Sequence, residues 1–411
     1  MRILYIAPMT ISLENILKGK TQIEGIPAFH LPLLKLIQKG HEVDFVLLSN
    51  FKGPYNIKVN WLKKENIIYN IYMPYSEKKG MLRIHRKVYR FFKLLFCSMK
   101  ATKGNRYDLI YDHIGVVGQI VAALRGIPTG VRWYGDSNFC YATISKYGKF
   151  IAAFKHPLSY ISFQLPYDFF LITDDHSYGD KVYEAWAPKN KSNLLYFWKS
   201  GIEMKEIDQC QYEIEVPNVD YIFYAARFSR WKRQDRAIEV LKEMHLRGRK
   251  IHLYFAGHLK GGPSSLSYIE ELKAKIKEYE LNDYVHFLGG ISQDSLKIIA
   301  NYSKATLLMY DIANLCNIFY EVLSIGAVVI TIDTGSLDEF IYNGKNGFLV
   351  KNEKEACNCL ELILDNPDLE KRIKENAKKT AYEKVMTADE RFEKEVALIE
   401  SVINSYPNRS I

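Results

Sequence analysis

The chain has 411 residues, of which 48% are hydrophobic and 25% are charged. These fractions lie near the globular average and exclude a disordered chain, and the length indicates two or three domains. Lys and Arg outnumber Asp and Glu by nine, an excess that fits an anionic small ligand or a membrane surface as well as nucleic acid. Six scattered cysteines form no disulfide framework, which favours a reducing compartment. The apolar run at the N-terminus is too short for a signal peptide or a membrane span.

The first half of the chain alternates short apolar runs with stretches of helical spacing. The pattern predicts helices at 30–38 and 118–124, and strands at 3–7, 41–49, 107–111, 129–132, 169–173 and 193–197. The first strand, helix and strand take about 45 residues, which is the spacing of a parallel sheet with crossover helices. This half is therefore predicted to be an α/β domain.

A second series of the same kind begins near residue 221. It predicts helices at 234–245, 268–279, 295–302 and 319–325, and strands at 221–226, 251–256, 285–288, 305–309, 328–332 and 347–350. A polar stretch at 201–219 separates the two series, and a charged helical tail follows at 369–403. Doubly wound sheets bind ligands beyond the carboxyl ends of their strands. The candidate ligand loops therefore follow residues 7, 132, 226, 256, 288, 309 and 332.

A basic loop follows the strand at 221–226, where Arg227, Arg230, Lys232 and Arg233 fall within seven residues. The loop leads into a helix, whose N-terminus carries about half a positive charge and free N–H groups. Arg binds a phosphate with two donors, and Lys adds a point charge. The loop is either a phosphate site or a solvated basic turn.

Glu321 lies near the start of a helix that is otherwise apolar. A carboxylate there suits a ribose, because it accepts hydrogen bonds from two hydroxyls. The alternative is a first-turn glutamate that complements the helix dipole. Two loop glycines, Gly25 and Gly335, stand where a backbone could approach a ligand or turn tightly.

Several motifs are missing from the sequence. It contains no Asp-x-Asp, no Walker lysine loop, no G-x-S-x-G and no histidine pair with metal-ligand spacing. There is also no G-x-G-x-x-G after the first strand, which disfavours a classical dinucleotide fold. The sequence thus predicts no metal site.

A basic amphipathic helix is predicted at 80–103, where no acidic residue occurs between Lys78 and Lys103. One side is basic, with Arg83, Arg86, Lys87, Arg90, Lys93 and Lys100, and the other is apolar, with Ile84, Val88, Phe92, Leu95 and Met99. Such a helix binds an anionic membrane surface. The alternative is a domain helix whose apolar side is core.

Together these segments resemble the retaining glycosyltransferases of family 4, which have the GT-B fold. Arg227 and Lys232 match the family's GR-x4-K motif, with Ala226 in place of the glycine. Residues 321–329 resemble its EAMA-x-G-x-PVI motif, although Ala327 and Val328 stand where the proline falls. In the second half, 251–257 matches the family's L-x-I-x-G strand and 285–289 its V-x-F-x-G strand. The glycine-rich run that follows in the family is matched by Gly335, Glu339, Gly344 and Gly347. In the first half, the segment 40–46 and Gly25 match the family, and 133–136 stands where the family has HG-x-D.

The resemblance implies an α/β architecture of two doubly wound Rossmann-like domains facing each other across a cleft. Residues 1–205 would form the acceptor-side domain, 206–380 the nucleotide-sugar domain, and 381–411 a C-terminal helix returning to the first domain. Arg227, Lys232 and Glu321 would be the catalytic set, with the first two on the diphosphate and Glu321 on the ribose. The donor-binding positions would be Gly25, Tyr134, Gly257, Leu288, Gly289, Cys316, Asn317 and Ile318.

The resemblance also implies the reaction. A sugar would pass from a UDP- or GDP-sugar to an acceptor hydroxyl with retention, without a metal or other cofactor. The acceptor would be a saccharide or a lipid-linked molecule in cell-surface polysaccharide, lipopolysaccharide or glycolipid assembly. The protein would be cytoplasmic and peripheral on the cytoplasmic face of the membrane, bound through residues 80–103.

Two positions depart from the family pattern. Ala313 replaces the first glutamate of the E-x7-E motif, and Tyr134 replaces the histidine of the HG motif. These changes keep open a catalytically inactive GT-B scaffold that binds a nucleotide or a partner protein. A nucleotide-sugar epimerase is a further alternative, although no group stands out to deprotonate a sugar carbon. A nucleic-acid binder is disfavoured, because the basic residues line one helix and one turn.

Overall fold

The computed structural model describes residues 1–17, 30–49, 66–72, 81–104, 106–134, 137–204, 214–259, 262–312, 315–334 and 337–406. The chain forms two compact units. The first comprises Met1–Ser200 and Asp389–Ile411, and the second comprises Gly201–Ala388.

The first unit is built on a sheet of seven parallel strands. In chain order the strands are β1 (Arg2–Pro8), β2 (Glu42–Ser49), β3 (Ile67–Tyr72), β4 (Leu109–Asp112), β5 (Thr129–Trp133), β6 (Phe169–Thr173) and β7 (Leu195–Trp198). Their spatial order is β3-β2-β1-β4-β5-β6-β7. The helices are α1 (Ile11–Leu17), α2 (Leu31–Gln38), α3 (Met81–Ala101), α4 (Val117–Arg125), α5 (Ser137–Lys155), α6 (Pro157–Gln164) and α7 (Gly179–Trp186).

The second unit has a sheet of six parallel strands. They are β8 (Tyr221–Ala225), β9 (His252–Ala256), β10 (Val285–Gly289), β11 (Ala305–Leu308), β12 (Val329–Ile332) and β13 (Phe348–Val350), in the spatial order β10-β9-β8-β11-β12-β13. The helices are α8 (Gln234–Leu246), α9 (Pro263–Glu278), α10 (Gln293–Tyr302), α11 (Asn317–Ser324), α12 (Glu353–Asp365) and α13 (Pro367–Lys384). A last helix, α14 (Ala388–Asn404), runs into the first unit.

Both faces of the first sheet are buried, because alternate residues of a strand point to opposite sides. Leu4 and Ile6 of β1 pack in a cluster with α3 and α4, whereas Ile3 and Tyr5 pack with α1, α2 and α14. This double cover explains why the strands read as continuous apolar runs rather than as alternating ones.

Helix α14 is joined to the first sheet by a buried group of charges. Glu395 accepts hydrogen bonds from the hydroxyl of Tyr111 and from Nη1 of Arg391, the latter at 3.0 Å. Nε of Arg132 lies 3.9 Å from the same carboxylate. Removing one member would leave buried charge without its partner, which is strongly destabilising. The cluster therefore fixes α14 against β4 and β5.

Every predicted strand is present, with ends within two residues of those expected. The predicted helix at 80–103 corresponds to α3. The charged tail is two helices rather than one, because Val385 is extended and Thr387 forms a bridge with Ile202. The sequence reasoning missed β3 and the helices α1, α5, α6, α7 and α12.

None of the helices in the described ranges is both long and apolar enough to cross a bilayer. No disulfide joins the five cysteines that the structure describes, Cys97, Cys140, Cys316, Cys357 and Cys359.

Candidate functional site

The strand order of the second sheet reverses between its two central strands, β8 and β11. From β8 the chain continues outward to β9 and β10, and from β11 it continues in the other direction to β12. Open α/β sheets bind ligands beyond the carboxyl ends of the strands at such a switch point. The residues that follow β8 and β11 are therefore the first to consider.

Lys232 lies at this switch point. After β8 the chain makes one short 3₁₀ turn at Arg230–Lys232 and then enters α8. Lys232 is buried, and its ammonium nitrogen is 4.2 Å from the ring centre of Trp231 and 3.6 Å from that of Tyr310. The hydroxyl of Tyr310 donates to the carbonyl of Ala225 at 2.9 Å. A solvated basic turn does not describe this lysine, which is a cation held inside the fold.

The other cations of the basic loop divide into two kinds. Arg230 forms a two-pronged ion pair with Glu271, and Arg233 pairs with Asp235 at 2.9 Å and Asp311 at 3.0 Å. The hydrogen bonds that Arg233 donates to the Asp235 carboxylate raise the pKa of Arg233. Arg227 is exposed, and within the described ranges no carboxylate pairs with its guanidinium. Among the described residues, Arg227 thus has no anionic partner, whereas Arg230 and Arg233 are neutralised.

Arg230 and Arg233 also line an open cavity of about 600 Å³. The charged residues around it are three cations and three carboxylates: Arg230, Arg233, Lys275, Asp235, Glu271 and Asp311. Because these charges balance, the cavity is a poor site for an anion.

Glu321 is the fifth residue of α11, which begins two residues before the predicted start. It is therefore outside the first turn, and the alternative of a first-turn glutamate complementing the helix dipole is wrong. The carboxylate is buried, and Nε2 of Gln293 donates to its Oε1 at 2.6 Å. Burial raises the pKa of Glu321, while the charge of Lys297 and the hydrogen bond from Gln293 oppose that effect. Helix α10 thus orients the carboxylate of α11.

The N-terminus of α11 lies close to the ring that holds Lys232. Cys316 is its N-cap, in extended conformation, and no side chain caps the helix. Burial raises the pKa of Tyr310, and the neighbouring thiol of Cys316 adds to that rise. Lys232 therefore lies on the ring of Tyr310, and the start of α11 lies beside the same residue. The first turn of α11 contains Asn317 and Ile318. Two sources of positive potential meet there.

The predicted glycine positions lie along the same edge of the sheet. A Cβ on Gly257 would stand 2.2 Å from the carbonyl oxygen of Ala226, so only glycine allows the two loops to approach this closely. The N–H of Gly257 donates to the carbonyl of Gly289 at 2.8 Å, and Gly289 has a φ of +72°. Leu288 is half-buried beside it. The ends of β8, β9 and β10 are thereby held side by side.

Sequence reasoning missed four residues of this edge. Gln293 and Lys297 act on Glu321, Tyr310 holds Lys232, and the ring of His258 packs where a Cβ on Gly290 would be, 2.2 Å away. Tyr310 directly follows the predicted strand at 305–309, and His258 follows the glycine that comes after the strand at 251–256. Their positions at strand ends could have identified both as candidates. Gln293 had no such signal, because its contact depends on the packing of α10 against α11.

In the first unit, Tyr134 follows β5 and lies against His113, which follows β4. The Tyr134 hydroxyl is 3.0 Å from Nδ1 of His113, and the Arg132 guanidinium lies 4.7 Å from the Tyr134 ring centre. Burial lowers the pKa of His113 well below its usual range, and the charge of Arg132 acts in the same direction. The lowered pKa favours the neutral form of the His113 imidazole, which lies at the carboxyl edge of the sheet. The loop after β4, which carries His113, was absent from the candidate ligand loops.

Other sequence-predicted positions lie outside the described residues: Gly25, Asp136, Ala313 and Gly335. Over the ranges that are described, no three His, Cys, Asp or Glu side chains come together as a metal site.

The span that holds most of this site matches a known family. Residues 212–380 match the model of the glycosyl transferases group 1 family, and this span contains Arg227, Lys232, Gly257, Gly289 and Glu321. No curated protein matches the chain in sequence.

Solved structures share the fold over nearly the whole chain. A glycosyltransferase from Rickettsia africae ESF-5 has 14% identity and a TM-score of 0.63, with 98% of this chain and 99% of that chain covered. Anabaena HepE, solved with UDP-glucose, has 16% identity and a TM-score of 0.66, with 98% and 99% covered. Sucrose-phosphate synthase from Thermosynechococcus elongatus has 14% identity and a TM-score of 0.71, with 98% and 100% covered. The predicted GT-B fold, with its two doubly wound sheets, is confirmed.

Proposed function

We propose that this chain transfers a sugar from a nucleoside diphosphate sugar to an acceptor hydroxyl, with retention of the anomeric configuration. The observation that carries the proposal is Lys232, a buried cation at the switch point of the second sheet. It lies within the span that matches glycosyl transferases group 1. The likeness to Anabaena HepE, which was solved with UDP-glucose, favours a UDP-sugar over a GDP-sugar as donor.

The reaction needs charge stabilisation more than it needs a metal. The diphosphate gains negative charge as it leaves the sugar, and Lys232 and Arg227 would offset that charge. Backbone N–H groups at the start of α11, near Cys316, Asn317 and Ile318, would donate to the same oxygens. Donors fixed in place before the reaction are usually the largest single contribution to such catalysis. The proposed mechanism therefore includes no cofactor.

Glu321 would bind the ribose through its two hydroxyls, with Gln293 holding the carboxylate in position. Backbone groups of Leu288 and Gly289, with Gly257 beside them, would meet the base, because no atom lies within 4 Å of the place that a Cβ on Gly289 would take. Asn317 and Tyr134 would contact the sugar.

Retention fits attack of the acceptor on the face that the diphosphate leaves. The acceptor oxygen forms the new bond to the anomeric carbon while the bond to the diphosphate breaks, and a phosphate oxygen takes the acceptor's proton. No enzyme nucleophile is assigned. The first unit would bind the acceptor.

The acceptor is proposed to be a saccharide or a lipid-linked molecule of cell-surface polysaccharide, lipopolysaccharide or glycolipid assembly. The protein would work on the cytoplasmic face of the membrane, bound through residues 80–103. In α3 the core side consists of Leu94, Cys97 and Ala101, whereas Val88 and Phe92 are exposed. The apolar side that the sequence predicts is therefore only partly core, which supports a surface contact.

A thermal-shift panel of UDP, GDP, ADP, CMP and dTDP, in buffer containing a chelator, tests the proposal. A ligand at a hundred times its dissociation constant stabilises the folded state by about 2.7 kcal/mol. A shift with one diphosphate identifies the base, and turnover of the matching sugars followed by NMR of the product identifies its anomer. A folded sample that shifts with none of them would reject the transferase.

A further inference from the structure

Gly148 interrupts α5 with a non-helical conformation (φ +80°, ψ 162°), and the part of α5 that follows it exposes large apolar side chains to solvent. Phe150 is 82% exposed and Phe154 is 87% exposed. Neighbouring exposed apolar residues are Tyr147, Ile151, Leu158 and Ile161. Among the described residues, every exposed phenylalanine belongs to α3 or α5: Phe92, Phe96, Phe139, Phe150 and Phe154. A contiguous exposed apolar patch usually marks an interaction site, whereas single exposed apolar residues are common on any protein surface.

The charge of this segment has one sign. Residues 137–167 contain lysines but no Asp or Glu, whereas α9 of the second unit, which is also an exposed helix, carries both signs. Nζ of Lys155 lies 3.8 Å from the ring centre of Tyr147, and Nζ of Lys149 lies 5.5 Å from that of Phe150. The aromatic residues and the cations therefore form a single surface.

Helices α3 and α5 lie on the same side of the first sheet. Ile110 pairs in register with Leu4 on one neighbouring strand and with Thr129 on the other, so these residues and Val131 point to one face. The cluster with Leu4 and Ile110 includes α3, and the cluster with Val131 includes α5. Both helices therefore cover the same face of the first sheet.

We propose that α5 and α3 together form a docking surface for an anionic lipid bilayer. Phe150 and Phe154 would enter the boundary between headgroups and acyl chains, and Lys146, Lys149 and Lys155 would contact lipid phosphates. This surface deepens the membrane contact proposed above for residues 80–103, but it rests on exposure and charge in α5. A second copy of the chain is a poorer occupant, because a two-fold contact would set lysines against lysines.

Flotation with phosphatidylcholine vesicles, with and without phosphatidylglycerol, tests the surface in the full-length protein. The wild type should float with the anionic vesicles. The partition coefficient of the Phe150→Ser/Phe154→Ser variant onto these vesicles should fall by about tenfold or more, because two large apolar side chains are lost. Lys149→Gln/Lys155→Gln should lose roughly fivefold per lysine and depend less on salt. A matched control is Leu246→Ser/Leu362→Ser, which removes two exposed leucines of the second unit and should float like the wild type.

Equal flotation of the phenylalanine variant and the wild type would overturn the proposal. So would a wild-type dimer in sedimentation equilibrium that this variant abolishes, because the occupant would then be a second copy. The thermal shift with UDP separates this surface from the proposed reaction. Nucleotide binding without vesicle binding refutes the surface alone, and vesicle binding without nucleotide binding refutes the transferase alone.

Discussion

The ammonium nitrogen of Lys232 lies 3.6 Å from the ring centre of Tyr310, so a cation from the loop after β8 is held by a ring from the loop after β11. The Tyr310 hydroxyl donates to the carbonyl of Ala225, which ties the ring to β8 as well. A desolvated contact between a cation and an aromatic face contributes about 2 kcal/mol. The fold therefore fixes the position of Lys232 before a ligand arrives.

Lys232→Met should lower the affinity for the nucleotide while leaving the protein folded. Methionine keeps most of the apolar stem, but the charge proposed to face the diphosphate is gone. A charge-assisted hydrogen bond is worth about 1.5–3 kcal/mol, so UDP should bind at least roughly tenfold more weakly. Isothermal titration calorimetry measures the affinity, and a thermal melt checks the fold. Arg230→Met is the matched control, because Glu271 already neutralises that arginine; equal loss in both variants would contradict the assignment.

Arg227→Ala should abolish transfer without unfolding the protein. Its guanidinium is exposed, so its loss should change the free energy of unfolding by less than about 0.5 kcal/mol. Loss of one donor that stabilises developing charge costs roughly 10²–10³ in rate. Single-turnover kinetics with saturating donor measure this loss. Arg233→Ala should have the opposite profile. It loses the ion pairs to Asp235 and Asp311 and so lowers stability, while the rate stays close to that of the wild type. Activity of Arg227→Ala within a few-fold of wild type would reject the phosphate role.

The strands and the position of Lys232 could be predicted from the sequence because both depend on local patterns. Runs of apolar residues bounded by turn residues mark buried parallel strands, and ligand loops follow such strands by a topological rule. Within the basic loop, however, spacing could not separate Arg227 from Arg230. The separation comes from Glu271, 41 residues further along the chain, whose place beside Arg230 is a tertiary contact.

Two other features lay beyond the sequence for different reasons. Helix α11 begins at Asn317, two residues before the start that the apolar pattern predicts. The pattern therefore places Glu321 in the first turn, whereas the structure places it in the second. Helix α5 was missed because periodicity assumes that apolar residues face the core, and Phe150 and Phe154 face solvent.

Gly257→Ala should destabilise the second unit and weaken nucleotide binding together. The new Cβ would stand 2.2 Å from the carbonyl oxygen of Ala226, and a backbone atom cannot yield as a flexible side chain does. Overpacking of this kind costs about 1–3 kcal/mol. Urea unfolding measures the loss, and calorimetry measures UDP affinity. Ala226→Gly changes the other side of the same contact without a clash and should stay within about 1 kcal/mol of wild type. A Gly257→Ala protein with wild-type stability would show that the loops are not held this closely.

Glu321 should give nucleotide binding an acid limb above the usual range of a glutamate. Burial raises its pKa, and only the carboxylate accepts hydrogen bonds from both ribose hydroxyls. UDP affinity should therefore fall as the pH drops through the raised pKa. Calorimetry across a pH series measures the limb. Glu321→Gln should bind UDP weakly at every pH and show no acid limb. Gln293→Ala should weaken UDP binding because the carboxylate loses its positioning hydrogen bond.

The stability of the ligand-free protein should respond to this group in the opposite direction. Because the folded pKa lies above the unfolded one, the folded state binds the extra proton, and the contribution of Glu321 to stability grows as the pH falls and is lost as the pH rises through the folded pKa. The difference in unfolding free energy between wild type and Glu321→Gln should therefore shift toward the wild type on acidification. Acid would then stabilise the free protein at this position while it weakens the nucleotide complex. If both quantities fell together, the acid limb would report partial unfolding rather than protonation of Glu321.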